Sequence, residues 1–185
     1  MMKRYLFVAI SVFYFLFPSV VLSQTLCQKG EVDYFSCETV TNKKIVSVCG
    51  NIANGEINDE SWLQYRFGKK HAVELSYPEE KQGSVSKFEG NYFDRYNVID
   101  LRFINGRTLY GVEFNGVYDG EEAEKRTRAS GGVYVENSKA KRVYIACRKV
   151  DTGKYFNIFS QLNASIREFN GETDFLYRFY NHVSK

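Results

Sequence analysis

The residues best suited to chemistry lie together in the second half of the chain, at Ser130-Gly131-Gly132-Val133-Tyr134. They follow a polar stretch, residues 119–128, that contains closely spaced cations: Lys125, Arg126 and Arg128. Glycine allows close backbone approach, a serine hydroxyl can donate to a carboxylate, and an arginine adds a charge-assisted bond. This combination suits a loop that enters an acidic cleft of another protein. The alternative is a flexible loop that leads into a strand, with both glycines serving backbone geometry alone.

Residues for an enzyme active site are few. The two histidines, His71 and His182, are far apart in the sequence, and no nucleophile elbow, zinc-binding helix or phosphate-binding glycine loop is present. The adjacent acidic pairs Glu79-Glu80 and Glu121-Glu122 lie in polar stretches, which is typical of solvated loop charges. We therefore predict that the chain is not an enzyme and that it uses no cofactor and no metal ion.

Residues 130–134 have the pattern SGxxY, which resembles the signature of bacterial periplasmic lysozyme inhibitors of the C-type and invertebrate-type families. Phe35-Ser36-Cys37 is similar to their opening strand, and Tyr144-Ile145-Ala146-Cys147 is similar to a late strand that ends in cysteine. The resemblance consists of short motifs in the same order over residues 35–147. The segment around Cys27 and the residues after Cys147 have no counterpart in it, so a different target stays open.

The resemblance implies an inhibitor that blocks the substrate cleft of a lysozyme or another peptidoglycan hydrolase. Ser130 and Gly131 would enter the cleft, Ser130 would bond a catalytic carboxylate, and Tyr134 would anchor the loop or touch the cleft wall. Arg128 would pair with a second carboxylate, with Arg148 as the next choice because it would lie opposite Ser130 in a hairpin. The alternative function is a periplasmic binding or immunity protein against another exported toxin or envelope partner.

Residues 1–23 have the three parts of a secretory signal peptide. Lys3 and Arg4 precede an apolar run over residues 5–17, and Ser23 provides a small residue before the expected cleavage site. A membrane anchor is the weaker interpretation, because a spanning helix needs about 20 apolar residues. We expect a periplasmic or secreted protein with no stable membrane anchor after cleavage.

The expected mature chain, residues 24–185, is long enough for a single β-rich domain. Its formal net charge is about +1, which argues against a nucleic-acid partner because such binding needs a concentrated basic surface. Its four cysteines predict two disulfides in an oxidising compartment. Three pairings are possible, and the sequence does not choose among these residues: Cys27, Cys37, Cys49 and Cys147.

Short alternating segments separated by turn residues predict a mainly β fold, an antiparallel sandwich or barrel. The first clear strands are predicted at residues 32–40, 45–49, 62–67 and 72–77. A change to helical spacing after Cys147 predicts one or two short C-terminal helices over about residues 152–183.

Two hairpins can be assigned a register. An Asn105-Gly106 turn would pair Ile104 with Arg107 and place apolar residues on one face: Ile99, Leu101, Phe103, Thr108, Tyr110 and Val112. A turn at Ser138-Lys139-Ala140 would pair Tyr134 with Tyr144 and Glu136 with Arg142. In that register Tyr134 points away from the core.

Overall fold

The alternation of apolar and polar residues corresponds to two antiparallel β-sheets in a computed structural model that describes residues 24–52, 56–93, 98–117, 128–139 and 141–150. The predicted signal peptide (1–23) and the predicted C-terminal helices (about 152–183) lie outside these residues. Within the described ranges the fold is mainly β and resembles a sandwich, which confirms the predicted class and selects the sandwich over the barrel.

Each sheet is a meander in which neighbouring strands are consecutive in the chain. Sheet 1 consists of β1 (Val32–Glu38), β2 (Ile45–Gly50), β3 (Leu63–Lys69) and β4 (Ala72–Tyr77). A short 3-10 turn, Ser84–Lys87, leads to sheet 2, which consists of β5 (Phe88–Phe93), β6 (Val98–Asn105), β7 (Thr108–Val117), β8 (Arg128–Asn137) and β9 (Arg142–Ala146). The four early strands predicted from the sequence correspond to β1 to β4.

The hydrophobic core lies between the two sheets. Alternate residues of β3, such as Leu63 and Tyr65, share a cluster with residues from β5 to β8. Phe103 is its aromatic centre, with its ring centroid 5.0 Å from that of Tyr65 and 4.7 Å from that of Tyr77. Since side chains alternate between the faces of a strand, the residues between these core positions lie on the outer faces of the sheets.

Both predicted disulfides form, and the structure selects one of the three pairings. Cys37 on β1 bonds to Cys147, directly after β9, and so links the two sheets. Thr39 also pairs with Cys147 through an isolated bridge. Cys27 bonds to Cys49 on β2. Two disulfides indicate a compartment more oxidising than the cytoplasm.

A membrane-crossing helix is not among the described elements, none of which is both long and apolar enough for that role.

The hairpin of β8 and β9 has the predicted register, with Tyr134 opposite Tyr144 and Glu136 opposite Arg142. The hairpin of β6 and β7 has the predicted faces but a different register, because Ile104 pairs with Leu109 and not with Arg107. Its turn is Gly106-Arg107, and Gly106 has a φ of 61°. Glycine at the first central position is the requirement of a type II′ turn, which accounts for the observed register.

The outer face of sheet 1 is covered by the chain itself, through residues 24–31. The backbone N–H of Leu26 donates to the Ser47 hydroxyl at 2.9 Å, and the Arg66 guanidinium donates to the Leu26 carbonyl oxygen at 2.8 Å. Arg66 also binds both carboxylate oxygens of Glu31, at 2.6 and 2.9 Å. Together with the Cys27–Cys49 disulfide, these bonds fasten the segment across β2 and β3.

Candidate functional site

The whole Ser-Gly-Gly-Val-Tyr motif lies within β8, because this strand begins at Arg128. The predicted hairpin already placed Gly131 to Tyr134 in a strand, whereas the expected loop position of Ser130 is wrong. Ser130 pairs with Asn115 on β7, and Gly132 pairs with Ala146 on β9. Ser130 is exposed, whereas residues 131–134 are buried. The motif is therefore part of the sheet, with the serine hydroxyl accessible at one end.

Close packing accounts for the two glycines of the motif. A Cβ atom at Gly131 would lie 2.8 Å from the Glu113 carbonyl oxygen, and one at Gly132 would lie 2.6 Å from the Ile145 carbonyl oxygen. Gly132 also provides the space that the ring of Tyr144 occupies, since its added Cβ would be 2.7 Å from the Tyr144 hydroxyl oxygen. Both glycines thus serve the geometry of the sheet, as in the alternative interpretation of the motif.

Tyr134 points away from the hydrophobic core, as predicted, but it is only 1% exposed. Its ring lies across Gly111 on β7, where any added Cβ would overlap it. Its hydroxyl donates to the carboxylate of Asp100 on β6 and lies 3.2 Å from both oxygens. Burial, together with the negative charge of Asp100, raises the pKa of Tyr134, so the hydroxyl keeps its proton and remains a donor.

Two arginines complete this arrangement, which we call the Tyr134 network (Asp100, Arg102, Tyr134, Glu136 and Arg142). The Arg102 Nε donates to Asp100 at 2.7 Å, and the Arg142 Nε donates to Glu136 at 2.7 Å. The Arg142 guanidinium carbon lies 4.4 Å from the centre of the Tyr134 ring, within cation–π range. The network joins β6, β8 and β9 and holds Tyr134 in one position.

Comparisons with known protein families, curated proteins and solved structures gave no match to this chain. The candidate site is therefore described only from the residues and contacts of this chain.

A further carboxylate, Glu113 on β7, stands opposite Asp100 in the β6–β7 ladder. Burial raises the pKa of Glu113, and the nearby charge of Asp100 raises it further. Burial also raises the pKa of Asp100, against the opposing effect of Arg102. Asp100 and Glu136 are both bound by guanidinium groups, those of Arg102 and Arg142. The bond from Tyr134 to Asp100 links β8 to β6, and the bond from Arg142 to Glu136 links β9 to β8, so both carboxylates connect strands.

The two predicted cations are not equivalent. The expected position of Arg148 opposite Ser130 is wrong, because β9 ends at Ala146 and the chain then turns towards β1. There the Arg148 backbone N–H donates to the Glu38 carbonyl oxygen at 2.7 Å, and its Nε lies 3.0 Å from a Glu38 carboxylate oxygen. Arg128 begins β8 and pairs with Val117 through the backbone, whereas its side chain lies outside the described part of the structure.

Three side chains with metal-binding atoms lie close together at sheet 1, but they cannot bind a metal ion. Ligand atoms of Cys27, Glu31 and Cys49 lie within 4.8 Å of one another. Both sulfur atoms belong to the Cys27–Cys49 disulfide, and metal binding requires thiolates.

Sequence reasoning did not single out Asp100 and Arg102 as partners of Tyr134. An available signal was their spacing, because opposite charges two residues apart on a strand share a face. Asp100 and Arg102 alternate along the strand with the apolar residues Leu101 and Phe103, which face the core. The two charged residues therefore lie on the face opposite the core.

Proposed function

We propose that the protein acts outside the cytoplasm as an inhibitor of a lysozyme or another peptidoglycan hydrolase, with the contact made from the beginning of β8. The observation that carries this proposal is the exposure of Ser130 beside a buried remainder of the motif. Ser130 is the part of the SGxxY pattern that another protein can reach. The resemblance of that pattern to lysozyme inhibitors supplies the class of partner.

In this proposal the Ser130 hydroxyl donates to a carboxylate in the partner's cleft. Arg128, which begins β8 two residues before Ser130, supplies a cation to a second carboxylate. Tyr134 lies further along the same strand and makes no contact of its own with the partner, because it is 1% exposed. A serine fixed in a paired strand loses little conformational freedom on binding, which favours affinity.

A lytic assay of the mature protein against chicken-type, goose-type and invertebrate-type lysozymes tests this function. We expect inhibition of at least one class, by a stoichiometric mechanism. Combining Ser130→Ala with Arg128→Ala weakens inhibition about tenfold or more, because a hydrogen bond to a charged group contributes ~1.5–3 kcal/mol. The melting temperature stays unchanged, since Ser130 is exposed.

The matched control is Ser138→Ala, which removes an exposed hydroxyl from the turn between β8 and β9. It should leave inhibition intact. Full inhibition by the double variant contradicts the assignment of the site. Failure of the unaltered protein to inhibit any of the three classes contradicts the lysozyme proposal, and a pull-down from envelope extract then tests the alternative binding or immunity function.

A further inference from the structure

β9 combines exposure with positive charge. It is the last strand of sheet 2, and four of its five residues are exposed. Residues 137–150 contain no acidic side chain and five cations: Lys139, Lys141, Arg142, Arg148 and Lys149. Two of these have partners, Arg142 with Glu136 and Arg148 with Glu38. The strand and its two ends therefore carry an excess of positive charge.

The backbone of β9 has hydrogen-bonding groups that face away from the sheet. The Asn137 N–H donates to Lys141 and the Cys147 N–H donates to Gly131, which identifies the residue pairs that bond across the β8–β9 ladder. Because bonded and non-bonded pairs alternate in an antiparallel ladder, the N–H and C=O groups of Arg142 and Tyr144 point outward. Ala146 has the same orientation, and its carbonyl oxygen accepts from the Val40 N–H at 2.9 Å.

Apolar side chains are exposed on both faces of this edge. Val143, on the core side, is 53% exposed, and Tyr144, on the outer side, is 48% exposed. Val40, which meets the end of β9 through its bond to Ala146, is 51% exposed. An added strand would cover apolar surface above and below itself while pairing with the outward backbone groups.

We propose that β9 is a docking strand for an extended acidic segment of another protein, which binds by adding a strand to sheet 2. The occupant is not a second copy of β9, because the cations around this strand would repel it. Lysines on an edge strand discourage pairing with other strands and so prevent aggregation. The exposed side chains of Val143 and Tyr144 instead favour the pairing of another strand with β9. This inference goes beyond the inhibitor function and depends neither on Ser130 nor on a lysozyme.

The test uses the mature protein and blocked peptides of about six residues, a common strand length. One peptide alternates Glu with Val, and the other alternates Lys with Val. We expect the acidic peptide to bind and to slow hydrogen exchange at the Arg142 and Tyr144 amides, and the basic peptide not to bind. Lys141→Glu combined with Lys149→Glu should weaken binding about tenfold or more, because both charges then repel the peptide.

The matched control is Lys69→Glu combined with Lys70→Glu, which reverses two exposed cations at the end of β3 and in the following turn. It should leave the affinity unchanged. Absence of binding by the acidic peptide overturns the proposal. It is equally overturned if the peptide binds without protecting the two amides, or if the control variant weakens binding as much as the β9 variant.

Discussion

The outer faces of the two sheets both bury an arginine against a carboxylate, but they differ in how much of each face is covered by the rest of the chain. On sheet 1, Arg66 and Glu31 have side chains only 6% and 8% exposed, beneath a segment fastened by a disulfide. On sheet 2, Arg102 and Asp100 are also mostly buried, but the same face becomes exposed towards Ser130 and Tyr144. The face of sheet 1 is closed by the chain's own segment and serves stability, whereas we propose that the open end of the sheet 2 face contacts a partner.

The largest effect should come from breaking the ion pair of sheet 1. Arg66→Ala leaves the Glu31 carboxylate buried without its main cation, which costs about 3–5 kcal/mol of unfolding free energy. The control is Lys44→Ala, which removes the more exposed Lys44–Glu74 pair and should cost about 1 kcal/mol or less. Urea unfolding measures both. Equal losses in the two variants would show that the closed face does not depend on Arg66.

A smaller effect with a defined pH range should come from Glu31. Burial alone would raise its pKa, but hydrogen bonds from Arg66, the Gln28 backbone and Lys81 outweigh burial and lower the pKa from 4.5 to about 2. The resulting stabilisation is present above pH 4.5 and is lost as the pH falls to about 2. At 1.36 kcal/mol for each pKa unit, the loss is about 3 kcal/mol.

Unfolding free energies measured from pH 5 to pH 2 should therefore fall less steeply for Glu31→Gln than for the unaltered protein. The carboxyl groups of the two faces contribute opposite pH dependences of stability, because burial raises the pKa of Asp100 and Glu113 on sheet 2. A raised carboxyl pKa favours the folded state at low pH and disfavours it as the pH rises through that range. If the unfolding free energy of Glu31→Gln falls with pH as steeply as that of the unaltered protein, the proposed role of Glu31 is contradicted.

The alternation of side chains predicts which residues of both hairpins face the core, because a strand has a period of two. The register of β6 and β7 is less determined by the sequence. Moving the turn from Asn105-Gly106 to Gly106-Arg107 changes each pairing partner by two residues and leaves every side chain on its face. Local patterning therefore predicts the faces correctly with either turn, and turn geometry at Gly106 decides between them.

The site depends on contacts between residues distant in the chain, which limits what the sequence can predict. Two glycines after a serine are typical of a loop, because glycine weakens a strand. In the structure Gly131 packs close to Phe35, and Gly132 lies beneath Tyr144. The Glu31–Arg66 pair and the choice among three disulfide pairings have the same long-range character. The sequence does predict that Tyr144 lies opposite Tyr134 on the face away from the core, since that follows from the hairpin register.

The most direct test of the difference between the faces places the same bulky residue on each. Ser130→Trp alters the open end of sheet 2, and Lys29→Trp alters an exposed position in the segment over sheet 1. The dissociation constant of each variant is measured with the lysozyme class that the unaltered protein inhibits. We expect Ser130→Trp to weaken binding at least about thirtyfold, the size of a ~2 kcal/mol hot spot, and Lys29→Trp to bind normally. Normal binding by Ser130→Trp, or a comparable loss in Lys29→Trp, would contradict the proposal that sheet 2 carries the partner surface.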